Sequence, residues 1–575
     1  MIRLLRFLKP YRFSVVLIVL LVFAQAIANL LLPTLMADVI DEGVVKSDLV
    51  YIIRTGGLML LVGLVAAAAA ITASFFTSRT ATGFARLLRL ELFTRIEHFS
   101  LNEFNRIGTA SLITRTTNDT TQVQQLLIIL LNMMINAPLM GIGGIILAVT
   151  QGGDLAWILV ATIPILAVAL IGVMRYALRL FLSIQVKLDR LNLILDEKLK
   201  GVRVIRAFDR SEYEQQRFDS ANEDLMRTTI HVNRVVAALL PAMTLVMNLA
   251  SIAIVWFGGM RVNEGTMQIG NMMALLQYSM SILFSLLMVS MMFVMLPRAS
   301  ASASRINEVL ALKPGIVDAP ETQTANQGRG LVSFQHVTFK YPGAEEPAVY
   351  DLSFTTRPGE LTAIIGGTGS GKSTLAHLLL RFYDVSQGQI LVNGVDIRAI
   401  RQQDLRAKIG FVPQKPQLFS GSISENVRYG KKDATEAEIW HALQVAQAQE
   451  FVRALEAGLD SVVTQGGTNL SGGQKQRLAI ARALVRQPEI YLFDDSFSAL
   501  DFQTEARLRM ALKEETREAT VLLVTQRVST AMEADRIIVL DEGRMVGKGT
   551  HQELMRSCEA YREIVATQLS LEELA

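Results

Sequence analysis

The sequence predicts two unlike parts in one chain: a bundle of six membrane-spanning helices, then a soluble α/β domain with a glycine-rich loop. Three observations predict this. Hydrophobic residues make up 51% and charged residues 19% of the 575 positions, outside the balance of a soluble protein. Six apolar runs, at about residues 14–36, 51–78, 125–150, 155–174, 235–260 and 271–296, each reach the roughly 20 residues a helix needs to cross a bilayer. Beyond residue 330 the pattern changes to short β-branched runs and glycine-rich turns, among them Gly366-Gly-Thr-Gly-Ser-Gly-Lys-Ser-Thr374.

Met1 to Arg12 alternates apolar with basic residues and contains Pro10, which predicts a short amphipathic helix on the membrane surface that ends at the proline. No cleavable leader is expected, because its charges are spread and the apolar run that follows is too long for a signal core. Charge sets the orientation. The segment after the second run carries Arg79, Arg86, Arg89, Arg95, Arg106 and Arg115, whereas the first short connection has Lys46 against Asp38, Asp41, Glu42 and Asp48. The positive-inside bias therefore puts the N-terminus and both long connections in the cytoplasm, and an even number of spans returns the C-terminus to that side. Both long connections keep helical spacing, as in Phe84, Leu87, Leu88 and Leu92, with turns near Asn105–Thr109 and Gly201–Asp209.

The spans hold almost no ionisable residue, which argues against a proton relay or an ion-selective pore. Their amides, such as Asn132, Asn136 and Gln277, either bond helices together or line a cavity. A net charge of +3 gives no reason to expect nucleic acid, and the lone Cys558 excludes an internal disulfide. Three parts follow: a transmembrane domain over 1–312, a Pro, Gln and Gly-rich linker over 313–330, and an α/β domain over 331–575.

The motifs sit in that last part. Gly366, Gly371, Lys372 and Ser373 fit a phosphate loop between an apolar strand and a helix, with Gly367, Thr368, Gly369, Ser370 and Thr374 completing it. Glycines let backbone N–H groups approach a phosphate, and the helix start adds its positive end. Lys372 would reach the outer phosphates and Ser373 would hold Mg²⁺. Tyr341 is placed to stack on a base, and Gln414 lies on a Pro-punctuated loop. Leu470-Ser471-Gly472-Gly473-Gln474 opens a helix and makes a second anion-binding helix start. Ile490 to Asp495 is an apolar strand ending in two carboxylates, followed by Ser498-Ala-Leu-Asp501.

These motifs, in this order and after six spans, closely resemble the ATP-binding cassette (ABC) transporters, and the whole is similar to a type-I ABC exporter half-transporter up to about Ala566. The resemblance implies that two cassettes close head to tail, each ATP lying between one phosphate loop and the other chain's Leu470–Gln474 motif, with Asp501 beside it. It implies Mg²⁺ held through Ser373, Gln414 and Asp494, and coupling helices at the two cytoplasmic turns, with Phe104 and Arg106 on one and Arg206 and Phe208 on the other. Two positions depart from the family. Asp495 stands where the family has a catalytic Glu, and Gln526 where it has a His against the γ-phosphate.

With every binding position kept, these departures resemble the degenerate site of a heterodimeric exporter. The implied partner is a homologous half-transporter with intact Glu and His; membrane lipid and a small amphipathic substrate are the other partners, and a bacterial cytoplasmic membrane is the expected setting. A homodimeric lipid flippase and an ATP-gated regulatory membrane subunit are the alternatives.

Overall fold

The computed structural model describes residues 2–323 and 329–568, so residues 324–328 of the expected linker and 569–575 lie outside the described residues. By its internal contacts the chain divides into two compact units, Met1–Glu97 with Thr109–Leu312, and His98–Gly108 with Lys313–Ala575.

The first unit is helical: α1 (Arg12–Asp38), α2 (Leu49–Glu97), then, after the short α3 (Leu101–Ile107) of the second unit, α4 (Thr109–Thr114), α5 (Thr120–Gly152), α6 (Ala156–Lys200), α7 (Val202–Ala207), α8 (Ser211–Asn263) and α9 (Ile269–Ala311). Among the described residues five stretches are long and apolar enough to cross a membrane. One of them, Thr109–Ala177, holds two of the six expected spans, because only the tight turn Gly153–Leu155 parts α5 from α6. Gly153 takes φ +53° there, a conformation a Cβ would strain. At 53 residues, α8 is about 80 Å long by its rise per residue, far beyond a bilayer core of about 30 Å. The long helices therefore do continue past the membrane. They pack in pairs, α1 with α2, α5 with α9 and α6 with α8.

Pro10 does not end a helix as the sequence suggested. A 3-10 helix, Ile2–Tyr11, runs through it and continues directly into α1. A proline clashes with the carbonyl four residues earlier in an α-helix, and the tighter 3-10 pattern relieves much of that conflict near a helix start. Leu4 is buried, and Phe7 sets its edge against Phe84 of α2 at 6.5 Å between ring centroids, so the apolar face of this segment packs on protein.

Buried carboxylates hold both ends of α9. Asp41 accepts a hydrogen bond from Gly270 N in the first turn of α9 at 2.7 Å, satisfying a donor the helix cannot satisfy itself. Glycine is required at that contact, since a Cβ on Gly270 would lie 2.3 Å from Ala37 O. Near the other end, buried Asp119 accepts from Ser302 Oγ at 2.9 Å and from Arg305 Nε at 2.7 Å. Arg115 adds an ion pair to Glu308 at 2.9 Å and a bond to Arg305 O at 3.0 Å. Both carboxylates lie in π-helical turns, Val39–Val44 and Arg115–Asp119, where the widened turn re-aims a side chain.

The second unit carries β1 (Val332–Phe339), β2 (Val349–Thr356), β3 (Leu361–Gly366), β4 (Gln387–Val392), β5 (Val395–Asp396), β6 (Ile409–Val412), β7 (Gly421–Ser422), β8 (Val462–Val463), β9 (Ile490–Asp494), β10 (Thr520–Val524), β11 (Arg536–Asp541) and β12 (Arg544–Gly549). An antiparallel sheet has the order β2-β1-β4-β5, and a six-stranded sheet the order β12-β11-β3-β10-β9-β6. In the larger sheet only the edge pair β11–β12 is antiparallel. Its middle strands are apolar without alternation because both faces are covered. Val524 pairs with both Ile364 and Asp494, so β3, β9 and β10 end side by side and their following loops share one edge.

The two partners of the Asp119–Arg305 pair are not equivalent, because the Asp119 side chain is 3% exposed and that of Arg305 48%. Arg305→Met strands a buried carboxylate, whereas Asp119→Asn leaves a guanidinium that can turn to water. We expect the first to cost about 2 kcal/mol and the second about 1 kcal/mol or less. Thermal unfolding of the detergent-solubilised protein should show the larger drop in Tm for Arg305→Met; equal drops would mean that burial of Asp119 does not govern the pair.

Candidate functional site

The loop that leaves β3 turns through Gly367–Gly371 into the helix Lys372–Leu379. A Cβ on Gly366 would lie 2.2 Å from Leu540 O and one on Gly371 2.5 Å from Ala348 O, while at Gly367 and Gly369 it would enter open space. Two glycines thus let the loop lie against neighbouring backbone, and two keep its hollow clear, which is the room a phosphate needs. Lys372 is 6% exposed, and its Nζ donates to Gly366 O at 2.8 Å, Gly367 O at 2.6 Å and Ser370 Oγ at 3.4 Å. Burial holds its pKa below the usual lysine value, against the pull of Asp495 and Asp494. Ser373 Oγ donates to Asp494 Oδ1 at 2.9 Å, and burial raises the Asp494 carboxyl above its usual range. An anion beside Lys372 and a divalent cation beside Asp494 would each favour the charged form against the cost of burial, so the donor set fits a metal–phosphate pair. Among the described residues no group of three or more His, Cys, Asp or Glu could hold a metal ion, so a cation here would depend on ligand oxygens.

A cavity of about 370 Å³ gathers Tyr341, Thr368, Gly369, Gly371, Lys372, Ser373, Thr374, Gln414, Asp494, Asp495 and Gln526, with Ala348 and Val524. Tyr341 OH shares a hydrogen bond with Thr374 Oγ1 at 3.1 Å, and its ring stands edge-on to Phe339 at 4.8 Å and Tyr383 at 5.3 Å. Gln414 Nε2 donates to Asp495 Oδ2 at 3.2 Å. Asp495 takes φ +47°, a left-handed conformation that Asp and Asn tolerate better than other side chains.

Another group of expected residues stays out of this cavity. Leu470, Ser471, Gly472, Gly473, Gln474 and Asp501 do not line it. Ser471 instead caps the helix Gly472–Leu484: its Oγ accepts from Gln474 N at 3.3 Å, and Gln474 Oε1 accepts from Ser471 N at 2.9 Å. Asp501 caps the helix Phe502–Glu515 by accepting from Thr504 N at 2.9 Å, which holds its carboxyl below the usual range.

At the two turns expected to face the cytoplasm, Phe104 is half-buried and Arg106 exposed on α3. The hydrogen bonds to the rest of the second unit come from their neighbours, for which the sequence carries no motif. Glu103 accepts from Gly315 N at 3.3 Å, and Asn105 Nδ2 donates to Tyr383 OH at 3.4 Å. In the first unit α7 buries no residue; Arg206 on it and Phe208 just after it are exposed. Also unforeseen is Arg527, which donates to Ser498 O at 2.8 Å and to buried Glu505 at 2.7 Å, tying the Gln526 loop to the loop before Asp501. A lone Glu on a polar helix reads as a solvated charge, so only the fold reveals this tie.

The chain matches the family models described as ABC transporter transmembrane region, over residues 15–287, and ABC transporter, over residues 349–498. It is 44% identical over 565 residues to an uncharacterized ABC transporter ATP-binding protein of Mycobacterium tuberculosis, covering 98% of this chain and 97% of that protein. It is 31% identical over 579 residues to the ATP-dependent lipid A-core flippase of Haemophilus ducreyi, covering 99% and 98%. A solved bacterial Atm1-family ABC exporter with ATP bound matches with a TM-score of 0.79 at 26% identity, over 98% of this chain and 99% of its own. A phosphate loop at the edge of a parallel sheet, long apolar helices ahead of it and these likenesses over nearly the whole length lead to one conclusion: the chain belongs to the ABC transporter family, as a multi-pass membrane half-transporter of the exporter type with an ATP-binding domain.

Proposed function

We propose that this chain is one half of a heterodimeric ATP-driven exporter in a bacterial cytoplasmic membrane, with both termini cytoplasmic, moving amphipathic drugs or lipids outward. Its own site would bind ATP with Mg²⁺ and hydrolyse it slowly. One observation carries this reading: Asp495 and Gln526 line the same cavity as Lys372, Ser373 and Asp494.

Lys372 would exchange the carbonyls of Gly366 and Gly367 for phosphate oxygens, a stronger charge-assisted bond. Ser373, Asp494 and Gln414 would hold Mg²⁺, which when bound offsets the charge that grows on the phosphates in transfer. Asp495 is one methylene shorter than Glu, and a displacement of about 1 Å in a catalytic group can cost on the order of 10²-fold in rate. Its Oδ2 also accepts from Gln414. Gln526 can donate a hydrogen bond to a phosphate but cannot take up a proton near neutral pH as His can. The chain thus keeps what holds a nucleotide and lacks the reach and the proton chemistry for rapid turnover.

Ser471 to Gln474 and Asp501 lie outside the cavity, which supports the reading that they serve a nucleotide held by the partner, a homologous half-transporter with intact Glu and His. The partner's site would then be the competent one. Spans nearly free of fixed charge suit an amphipathic cargo, and the likeness to a lipid A-core flippase supports a lipid. That likeness also favours a second reading, a homodimeric lipid flippase.

ATPase rates separate the two. The purified chain alone should turn over at least about tenfold more slowly than the complex with its partner, given two altered catalytic positions; a single chain as fast as the complex would establish the homodimer.

Substitutions in two motifs of this chain should also differ in effect when each variant is assembled with wild-type partner at saturating ATP. Ser471→Arg puts a bulky cation at the helix start that closes on the partner's nucleotide, and should reduce the complex's ATPase about 10²-fold or more. Lys372→Ala weakens only the slow site and should leave a measurable rate. A greater loss from Lys372→Ala would mean that competent and slow sites are the other way round.

A further inference from the structure

The loop carrying Gln526 is gripped from outside the cavity by a residue at the far end of the chain. Gln568, at the end of the helix Glu559–Gln568, donates from Nε2 to Gln526 O at 2.7 Å and accepts at Oε1 from Val528 N at 2.9 Å. Arg527 between these two bonds is extended, at φ −90° and ψ 123°, so the side-chain amide pairs with the backbone on both sides of one residue, as a neighbouring strand would. The bond to Val528 N also satisfies the first free donor of the short helix Val528–Ala531.

The arm behind the clamp is anchored. Tyr561 and Val565 of the same helix are fully buried in one cluster with Val528, Ala531 and Leu554, and Tyr561 OH meets His551 Nδ1 at 2.8 Å. On the other side, the Arg527 guanidinium is held by Glu505 and Ser498 O. Backbone around Arg527 and the Arg527 side chain are thus held by separate partners, and the adjacent Gln526 lines the cavity.

We propose that Gln568 is a positioning residue of the ATP site. Its amide sets where the Gln526 loop stands, and so how far the site favours a nucleoside triphosphate over the diphosphate. This rests on the reading of the Gln526 loop as the wall that meets the terminal phosphate. Gln568 touches no nucleotide itself and acts through the backbone of residues 526 and 528.

The test uses the purified full-length chain and measures Kd for Mg-ATP and Mg-ADP separately. Gln568→Ala should weaken ATP binding about fivefold, the worth of an ordinary hydrogen bond, and leave the ADP value within about twofold. Gln568→Glu keeps the acceptor for Val528 N but sets a carboxylate against Gln526 O, and should weaken ATP at least as much. In a Gln526→Ala background, Gln568→Ala should add nothing, because its effect passes through that loop. If ATP and ADP affinities fall together, or the two substitutions add, Gln568 is only part of the helix packing and the proposal fails. A wild-type chain with no preference for ATP over ADP would instead overturn the reading of the Gln526 loop, and the proposal with it.

Discussion

A buried cation with no anion in contact is the constraint on which the second unit's site depends. Lys372 is 6% exposed and bonds only to two carbonyls and a hydroxyl, neutral groups that cannot replace its hydration in full. Its nearest carboxylates, Asp494 and Asp495, are committed to Ser373 and Gln414. A phosphate is the anion the glycine hollow has room for. The parallel sheet supplies the rest of the site, since β3, β10 and β9 end in register and bring the phosphate loop, Gln526 and both aspartates to one edge. Strand order, more than any single motif, makes these distant segments one site.

From that cavity a line of contacts leads to α3 within the same unit. Thr374 bonds Tyr341, whose ring meets Tyr383 edge-on, and Tyr383 OH accepts from Asn105. Glu103 of the same helix caps Ser100 N at 2.8 Å and also accepts from Gly315 N, so the helix start and the linker share one carboxylate. The line consists of a hydroxyl pair, two ring edges and an amide. The turn that holds α3 thus counts with the second unit, while α7, with nothing buried, lies in the first.

What could be read from the sequence follows the range of each interaction. The glycine loop is legible because its glycines and Lys-Ser lie together in one short stretch, and the spans because length and apolarity are additive. The division between α5 and α6 was also legible, since Gly152, Gly153 and Asp154 interrupt an apolar run. The carboxylates at the ends of α9 were not. Asp41 reads as one acidic residue of a short connection and Asp119 carries no signal of its own, and no periodicity announces the π turns that hold them. Pro10 does not stop its helix either, because the 3-10 turns that hold it run straight on into α1. Glu505 and Gln568 look like surface residues until the fold puts Arg527 and the Gln526 loop against them.

The two departures at the site are unlike in kind. At φ +47°, residue 495 sits where a short carboxylate is better tolerated than a longer side chain. Asp there suits the left-handed backbone after β9 and accepts from Gln414. Gln526 brings no such gain, since its backbone is already held by Gln568 whatever its side chain. On the proposed reading its change is chemical: an amide that can still donate to a phosphate stands where the resemblance implies a titratable ring. A site under pressure to turn over would have reason to resist both changes, whereas one that needs only to hold its nucleotide would accept the first and lose little by the second. On the proposed reading, stability and retention point the same way in this half of the transporter, and the demand for rate falls on the partner's phosphate loop.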